Sequence, residues 1–340
     1  MANSETRSVG RDLDRRTFLV RSAAGALGGL GASCLGMGPA LAQSQYPDRP
    51  IRLIIPFAPG GGSDSIARIV VPGMRKIWDQ SIVIENVPAG GTVLGTGMVA
   101  KSIPDGYTLL LGSNTIATLP SLHKDLRFDV QKDLTPVGSI GAQPFLMVVH
   151  PSLPVNNLQE LISYVKAHPG QVAYASAGIG SGAHLATELF AMRAGLDLLH
   201  VPYQGTGPSI VDLLAGRVQM TLTPAISLMQ FVKQNRLRPI GVGDPKPIFQ
   251  LPEVPPIASV LPGYAATSWT GVFVRSGTPA DIVAKINDTL RKVIADEQVI
   301  KSLQTNGANP SSMTTVEFQA YVESQTRIWG DVIRRGNITV

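Results

Sequence analysis

Short apolar runs alternate along this chain with stretches in which apolar residues recur at helical spacing. Ile51–Ile55 is apolar apart from one arginine, and apolar residues at positions 66, 69, 70, 74 and 77 follow it at intervals typical of a helix. The alternation returns at residues 172–192 and at 198–214. Runs of this length predict buried strands, and the intervals predict amphipathic helices. The pattern therefore predicts an α/β fold with largely parallel sheets.

The alternation stops and restarts, which predicts two lobes. We expect lobe 1 to comprise residues 43–143 and 275–340, and lobe 2 to comprise residues 144–274. The chain would cross between them near 144–150 and 268–274. Two crossing segments make a hinge, and the cleft between two lobes is a common place for a ligand.

A glycine-rich turn follows the first predicted strand. Pro59-Gly60-Gly61-Gly62-Ser63-Asp64 connects that strand to a predicted helix, so backbone N–H groups without helical partners gather there and attract anions. Ser63 is a candidate hydroxyl donor to the anion, whereas Asp64 fits a helix N-cap better than a catalytic acid. A tight connection without a ligand is the alternative, but it does not need three successive glycines.

A second turn of this kind lies at Ala177–His184, where a G-x-G-x-x-A sequence separates a predicted strand from a predicted helix. This spacing also occurs in dinucleotide-binding proteins, which leaves an exported oxidoreductase as the enzyme alternative. The acid expected after the next strand is missing, since Asp197 precedes that strand and His200–Tyr203 occupies the place. A small anion needs only the backbone amides and Ser181, with His184 nearby.

Two further predicted turns offer polar groups. Ser113 and Asn114 follow the third strand, and Tyr203–Pro208 adds an aromatic ring and a hydroxyl. Each could also serve only to cap a helix.

The sequence gives little support to a metal site, a catalytic site or a nucleic-acid-binding surface. The five histidines have no pair at metal-ligand spacing, and no G-x-S-x-G sequence is present. The formal net charge is only +5, and no basic patch is interleaved with aromatic residues, which argues against a nucleic-acid partner. We therefore predict no catalytic residues, no metal and no cofactor.

The first 42 residues have the features of an export signal. Arg15 and Arg16 precede an apolar stretch rich in alanine and glycine, and Ala40-Leu41-Ala42 forms a small-x-small cleavage site. The adjacent arginines predict twin-arginine export to the periplasm; the general secretory route and a membrane anchor are the alternatives. The single cysteine, Cys34, lies inside this segment, so cleavage would leave neither disulfides nor thiolate metal sites.

Several motifs, in order along the chain, resemble the Bug family, the solute receptors of tripartite tricarboxylate transporters. The matching segments are Tyr46–Arg52, Phe57–Asp64, Glu85–Thr92, Pro104–Leu110, Ser176–Gly178 with Ser181 and His184, His200–Tyr203, Leu261–Tyr264 and Gly277–Pro279. The resemblance covers essentially all of the chain after the export signal. It implies a two-lobed type II periplasmic binding protein fold that closes on a small organic carboxylate. It also implies a monomer without enzyme activity, and the membrane subunits of a tripartite tricarboxylate transporter as partners.

In that family, backbone amides and ordered waters of the first-lobe turns hold a carboxylate, and the second-lobe turns close over it. Together with the turns described above, the resemblance implies a ligand site formed by Phe57, Gly61, Gly62, Ser63, Asp64, Ser113, Asn114, Ser176, Ala177, Ser181, His184, Tyr203, Gly205 and Thr223. A sensor that presents its closed form to a signalling partner would use the same site.

Two departures from the family pattern concern the ligand. Gln204 stands where the family often has lysine, and Thr221-Leu222-Thr223 stands where many members have phenylalanine and aspartate. Without that aspartate, a ligand ammonium lacks its partner. We therefore expect a carboxylate without an amine, such as a di- or tricarboxylate or an aromatic acid.

Overall fold

The computed structural model describes residues 46–335 and 338–339, so the predicted export signal at 1–42 lies outside the described residues. The strands are β1 (Ile51–Ile55), β2 (Ile82–Asn86), β3 (Thr108–Ser113), β4 (Leu134–Val149), β5 (Ala173–Ser176), β6 (Leu199–Pro202), β7 (Met220–Pro224), β8 (Arg238–Val242), β9 (Thr267–Arg275) and β10 (Asn309–Pro310). The α-helices are α1 (Gly62–Trp78), α2 (Val93–Ala100), α3 (Asn114–Leu122), α4 (Val130–Asp133), α5 (Leu158–Ala167), α6 (Gly182–Ala194), α7 (Thr206–Leu214), α8 (Met229–Lys233), α9 (Ala280–Ile294), α10 (Glu297–Thr305) and α11 (Thr315–Arg335).

The paired strands follow the order β2-β1-β3-β9-β4-β7-β5-β6, and β8 and β10 also pair with β4. Strands β1, β2 and β3 are parallel to one another, as are β5, β6 and β7. In the centre, β9 and β4 run antiparallel to each other and to their neighbours. The predicted α/β fold class is confirmed, but the expectation of largely parallel sheets is wrong for the central strands β4 and β9. The reason is that these two long strands lie side by side in opposite directions, with a parallel group attached on each side.

Strand β4 is sixteen residues long and connects the two halves of the sheet, because its two ends pair with different strands. Its residues up to Pro144 pair with β9, and Phe145–Val149 pair with β7. This change of partner falls at the start of the crossing predicted near 144–150. The bounds of the two lobes stay a prediction.

Amphipathic helices cover the sheet and fix the positions of the strand ends. In α1, Ile66, Val70 and Met74 face a buried cluster that also includes Ile286 and Leu290 of α9. Burying such a side chain stabilises the fold by roughly 1.5–3 kcal/mol. A second cluster packs α5 and α6 on the strands around β5. None of the helices in the described part of the chain is long and apolar enough to cross a membrane.

Candidate ligand-binding site

Four strand-to-helix connections end at one place in the molecule. Strand β1 leads into α1, β3 into α3, β5 into α6 and β6 into α7, and the first residues of all four helices line a common cavity or lie beside it. Ligands of open α/β folds commonly bind at such carboxyl ends of strands. The N-terminus of each helix carries a partial positive charge and N–H groups without helical partners.

Three of these helix ends lack a side-chain capping hydrogen bond. The N-cap residues of α1, α3 and α7 are Gly61, Ser113 and Gly205, and none of them accepts a side-chain hydrogen bond from the first turn. In α6, by contrast, Ser181 Oγ accepts a hydrogen bond from His184 N at 3.2 Å. The ends without caps therefore leave backbone donors for another acceptor.

The inner cavity has a volume of about 40 Å³. It is lined by Phe57, Gly61, Gly62, Ser63, Ser113, Gln143, Phe145, Ala177, Ser181, Gly182, Ala183, Thr206, Thr223, Pro224 and Ser268. Six of these residues carry hydroxyl groups, and no acidic or basic side chain of the described chain is among them. Backbone amides and hydroxyls are thus the groups that an occupant would meet.

An outer cavity of about 330 Å³ shares Phe57 and Ala177 with the inner one. Its other lining residues are Pro56, Ala89, Gly90, Gly91, Thr92, His123, Gly178, Ile179, Pro202, Tyr203 and Gln204. Thr92 Oγ1 and His123 Nε2 are buried and have no hydrogen-bond partner within the described residues. Burial lowers the pKa of His123, which favours its neutral form. The outer cavity therefore offers a mainly apolar surface, with polar side chains from Thr92, His123, Tyr203 and Gln204.

The β1–α1 turn and the β6–α7 turn touch each other beside the inner cavity. Ala58 N donates a hydrogen bond to Gln204 O at 3.1 Å. A Cβ atom on Gly205 would lie 2.9 Å from Ala58 N, and a Cβ atom on Gly207 would collide with Pro59 O. Glycine at both positions thus permits this contact between the two turns.

The structure brings nine of the predicted site residues to the two cavities. Phe57, Gly61, Gly62, Ser63, Ser113, Ala177, Ser181 and Thr223 line the inner cavity, and Tyr203 lines the outer one together with Phe57 and Ala177. Asp64, Asn114, Ser176, His184 and Gly205 lie outside both sets of lining residues. Contacts of these five residues indicate that they position the turns.

Asp64 is in the first turn of α1 and closes the turn before it. Its Oδ2 accepts hydrogen bonds from Gly60 N at 3.0 Å and from Arg68 Nε at 2.9 Å, and Asn86 Nδ2 donates to its Oδ1. Burial alone would raise the pKa of Asp64, but the hydrogen bonds from Arg68, Gly60 and Asn86 outweigh it and hold the pKa below its usual value. Asp64 therefore stays ionised as a structural anion.

Asn114, Ser176 and His184 hold neighbouring segments in place. Asn114 Oδ1 accepts from Trp269 N at 3.0 Å, which ties α3 to β9. His184 Nδ1 accepts from Gly180 N at 3.0 Å, and Ser176 Oγ accepts from Gly178 N at 3.2 Å. These two bonds fix the backbone of the second glycine turn.

The sequence prediction missed several lining residues. In the inner cavity these are Gln143 and Phe145 on β4, Gly182 and Ala183 of α6, Thr206 of α7, Pro224 of β7 and Ser268 on β9. In the outer cavity, residues 89–92 belong to the segment Glu85–Thr92, which carries only the family resemblance, and His123 is isolated in the sequence from other histidines. A lone histidine or glutamine in a strand-like run carries no signal of its own. No group of three or more potential metal-binding side chains occurs in the part of the chain that the structure describes.

Comparison with known proteins identifies the family. Residues 66–338 match the model of the tripartite tricarboxylate transporter family receptor. The chain belongs to this family. The receptor is 33% identical to protein BugT of Bordetella pertussis over 309 residues, which are 90% of this chain and 95% of BugT.

Two solved structures are similar to this receptor. Rpa4515 of R. palustris with adipate has a TM-score of 0.84 and 32% identity, and the match covers 87% of this chain and 100% of that one. MatC (Rpa3494) from Rhodopseudomonas palustris with bound malate has a TM-score of 0.80 and 30% identity, covering 85% and 100%. The predicted Bug-family resemblance and periplasmic binding protein fold are confirmed. Receptors of this family are periplasmic solute-binding proteins without enzyme activity, so the oxidoreductase alternative is wrong.

Proposed function

We propose that this receptor is exported and binds a small organic carboxylate without an amine, which it delivers to the membrane subunits of a tripartite tricarboxylate transporter. One observation carries the proposal: four helix N-termini meet at a cavity whose described lining contains no charged side chain. Such a cavity favours a negative group because its electrostatic potential comes from oriented backbone N–H dipoles.

Helix N-termini contribute favourably to the binding of an anion. A helix N-terminus stabilises a nearby anion by roughly 0.3–1 kcal/mol when exposed and by up to about 2 kcal/mol when partly buried. Four ends acting on one enclosed carboxylate therefore contribute several kcal/mol. An ammonium group at the same place would meet the same dipoles with the opposite sign, and Thr223 offers it only a hydroxyl.

The two cavities suit the two parts of such a ligand. The inner cavity has room for one small group, since about 10–15 Å³ of such space already holds a water. The outer cavity can hold the remainder, and Thr92 and His123 can bond a second polar end there. The adipate and malate of the two similar structures are dicarboxylates, which supports this arrangement.

A ligand panel tests the proposal. Adipate, malate and benzoate would be compared with aspartate and leucine by thermal shift and by calorimetry on the purified protein. A ligand present at about 100 times its Kd adds roughly 2.7 kcal/mol to the free energy of unfolding, so the midpoint should rise by several degrees. We expect a shift with at least one carboxylate that lacks an amine. Tight binding of aspartate or leucine, with no response to the other three compounds, would contradict the proposal.

Export and delivery are proposed on separate grounds. Export rests on the arginine pair and cleavage sequence within residues 1–42, and delivery rests on membership of the receptor family. Replacing Arg15 and Arg16 by lysine should retain the protein in the cytoplasm if the twin-arginine route is used. Unchanged periplasmic accumulation would favour the general secretory route.

A further inference from the structure

The side-chain amide of Gln143 is buried, and only one of its two polar atoms has a hydrogen-bond partner among the described residues. The residue is 1% exposed and lies on β4, directly before the change of strand partner. Its Nε2 donates to Thr270 Oγ1, which lies on the neighbouring strand β9. Its Oε1 has no partner among the described residues, and it lies so close to Gly62 that a Cβ atom there would collide with it. One side of the amide thus borders the inner cavity at the N-terminus of α1.

An unpaired amide in such a place is costly. Leaving a buried polar group without a partner costs about 1–3 kcal/mol, so buried amides nearly always have partners on both sides. The inner cavity is the space from which such a partner can approach, and it has room for one small group. The four helix N-termini around it favour a negative group over a neutral one.

The amide can present either a donor or an acceptor to this cavity. Rotation by 180° about the last side-chain bond exchanges the amide nitrogen and oxygen, which are similar in size. The Thr270 hydroxyl can donate as well as accept, so it bonds to either atom. A carboxylate has only acceptors when ionised and therefore requires the nitrogen.

We propose that Gln143 is a specificity-determining ligand residue that donates a hydrogen bond from Nε2 to a carboxylate oxygen in the inner cavity. This inference rests on the proposed carboxylate-binding function. It adds that the end of the ligand entering the inner cavity is an ionised, terminal carboxylate, and that Gln143 distinguishes it from a carboxamide of the same shape.

Calorimetry on single variants tests this role. The probes are adipate, malate and benzoate, each with its amide (adipamide, malamide and benzamide). The carboxylate that binds the wild-type receptor most tightly is then measured on the variants, together with its amide. Gln143→Leu should weaken carboxylate binding by about 10- to 100-fold, the usual effect of losing a hydrogen bond to a charged group. Binding of the matched amide should change less. Gln143→Glu should reduce carboxylate binding further and shift the preference towards the amide, because a carboxylate side chain repels the ligand anion and accepts from an amide N–H.

Controls separate this role from a structural one. Thr270→Val removes only the hydroxyl that orients the amide, and should weaken carboxylate binding by less than Gln143→Leu. Gln219→Leu deletes an amide that bonds Ala173 N outside both cavities, and should leave affinity unchanged. Melting midpoints without ligand report on folding, and Gln143→Met replaces the leucine variant if that variant does not fold.

The outcomes are distinct. Carboxylate affinity of the Gln143 variant within threefold of wild type, or an equal loss for carboxylate and amide, would overturn the role of Gln143 and leave the proposed function standing. If none of the three carboxylates binds the wild-type receptor, the proposed function fails first, and the role of Gln143 fails with it.

Discussion

Lowering the pH should destabilise the unliganded receptor through a buried histidine and a half-buried one behind the second glycine turn. His184 and His200 stack with ring centroids 4.0 Å apart. His184 Nδ1 accepts from Gly180 N, and His200 Nε2 bonds with Ser176 Oγ at 2.6 Å. Protonation of His184 at Nδ1 would remove the acceptor that holds Gly180. The nearest carboxylate is that of Glu188, whose Oε1 lies 3.9 Å from His184 Nε2.

The size of the effect follows from the pKa values. Burial lowers the pKa of His184 to about 4, and burial together with repulsion from His184 lowers the pKa of His200 to about 4. In the unfolded chain each histidine titrates near pH 6.5, so the unfolded state binds protons first as the pH falls. Stability is therefore lost between about pH 6.5 and pH 4, and neither histidine affects it at higher pH. A difference of about 2.5 pH units corresponds to roughly 3 kcal/mol for each histidine.

Urea denaturation at pH 7, 6, 5 and 4 measures this loss. The comparison is between wild type and the double variant His184→Asn/His200→Gln, whose amides accept hydrogen bonds but do not titrate. His150→Gln controls for a histidine outside the cluster. We expect wild type to lose at least about 3 kcal/mol more than the double variant between pH 7 and pH 4. Parallel pH profiles for the two proteins would refute the reasoning.

Three further substitutions test the turns around the cavities. Gly62→Ala pushes a methyl group against Gln143 Oε1 and Pro224 in the wall of the inner cavity and should weaken carboxylate binding in calorimetry by about 1–3 kcal/mol, the usual cost of overpacking; unchanged affinity would remove Gly62 from the site. Gly207→Ala collides with Pro59 O and should weaken binding by separating the two turns, with a lower melting midpoint of the unliganded protein as well; equal affinity would mean that the contact is not needed. Asp64→Asn should lower the free energy of unfolding in urea by about 1–2 kcal/mol, a modest figure because its partner Arg68 is largely exposed. An unaltered midpoint for this variant would contradict the structural role given to Asp64.

Much of the fold could be predicted because its signals are local. The apolar run Ile51–Ile55 is β1 as expected. Helix α11 begins with a capping box, which Thr and Glu three residues apart signal locally: Thr314 N donates to Glu317 Oε2 at 2.9 Å, and Glu317 N donates to Thr314 Oγ1 at 3.3 Å. The first eleven residues of β4 have no comparable local signal, because glycines and prolines interrupt the apolar pattern. Bulges near Gly138 and Gly141 absorb that interruption in the structure.

In the candidate site, too, the residues with a local sequence signal could be predicted and the others could not. Its turns could be predicted because glycine and serine between a strand and a helix are a local signal of free N–H groups. Gln143, Phe145 and Ser268 could not, because each lies within a strand and reaches the cavity only through pairing with distant segments. Gln143 pairs with Ser268 across 125 positions of the chain, and no sequence pattern specifies that register.

The use of backbone donors also bears on release of the ligand. The N–H groups around the inner cavity belong to helices that begin far apart in the sequence, and two of the turns before them touch where Ala58 N bonds Gln204 O. A ligand shifts a conformational equilibrium only by its differential affinity for the two states. A long arginine side chain could follow a carboxylate as the turns separate and so bind it in both states. Amides at helix ends are fixed to their helices, so separation of the turns would remove several donors at once. We therefore expect most of the binding free energy to depend on closure, which suits a receptor that must give up its solute.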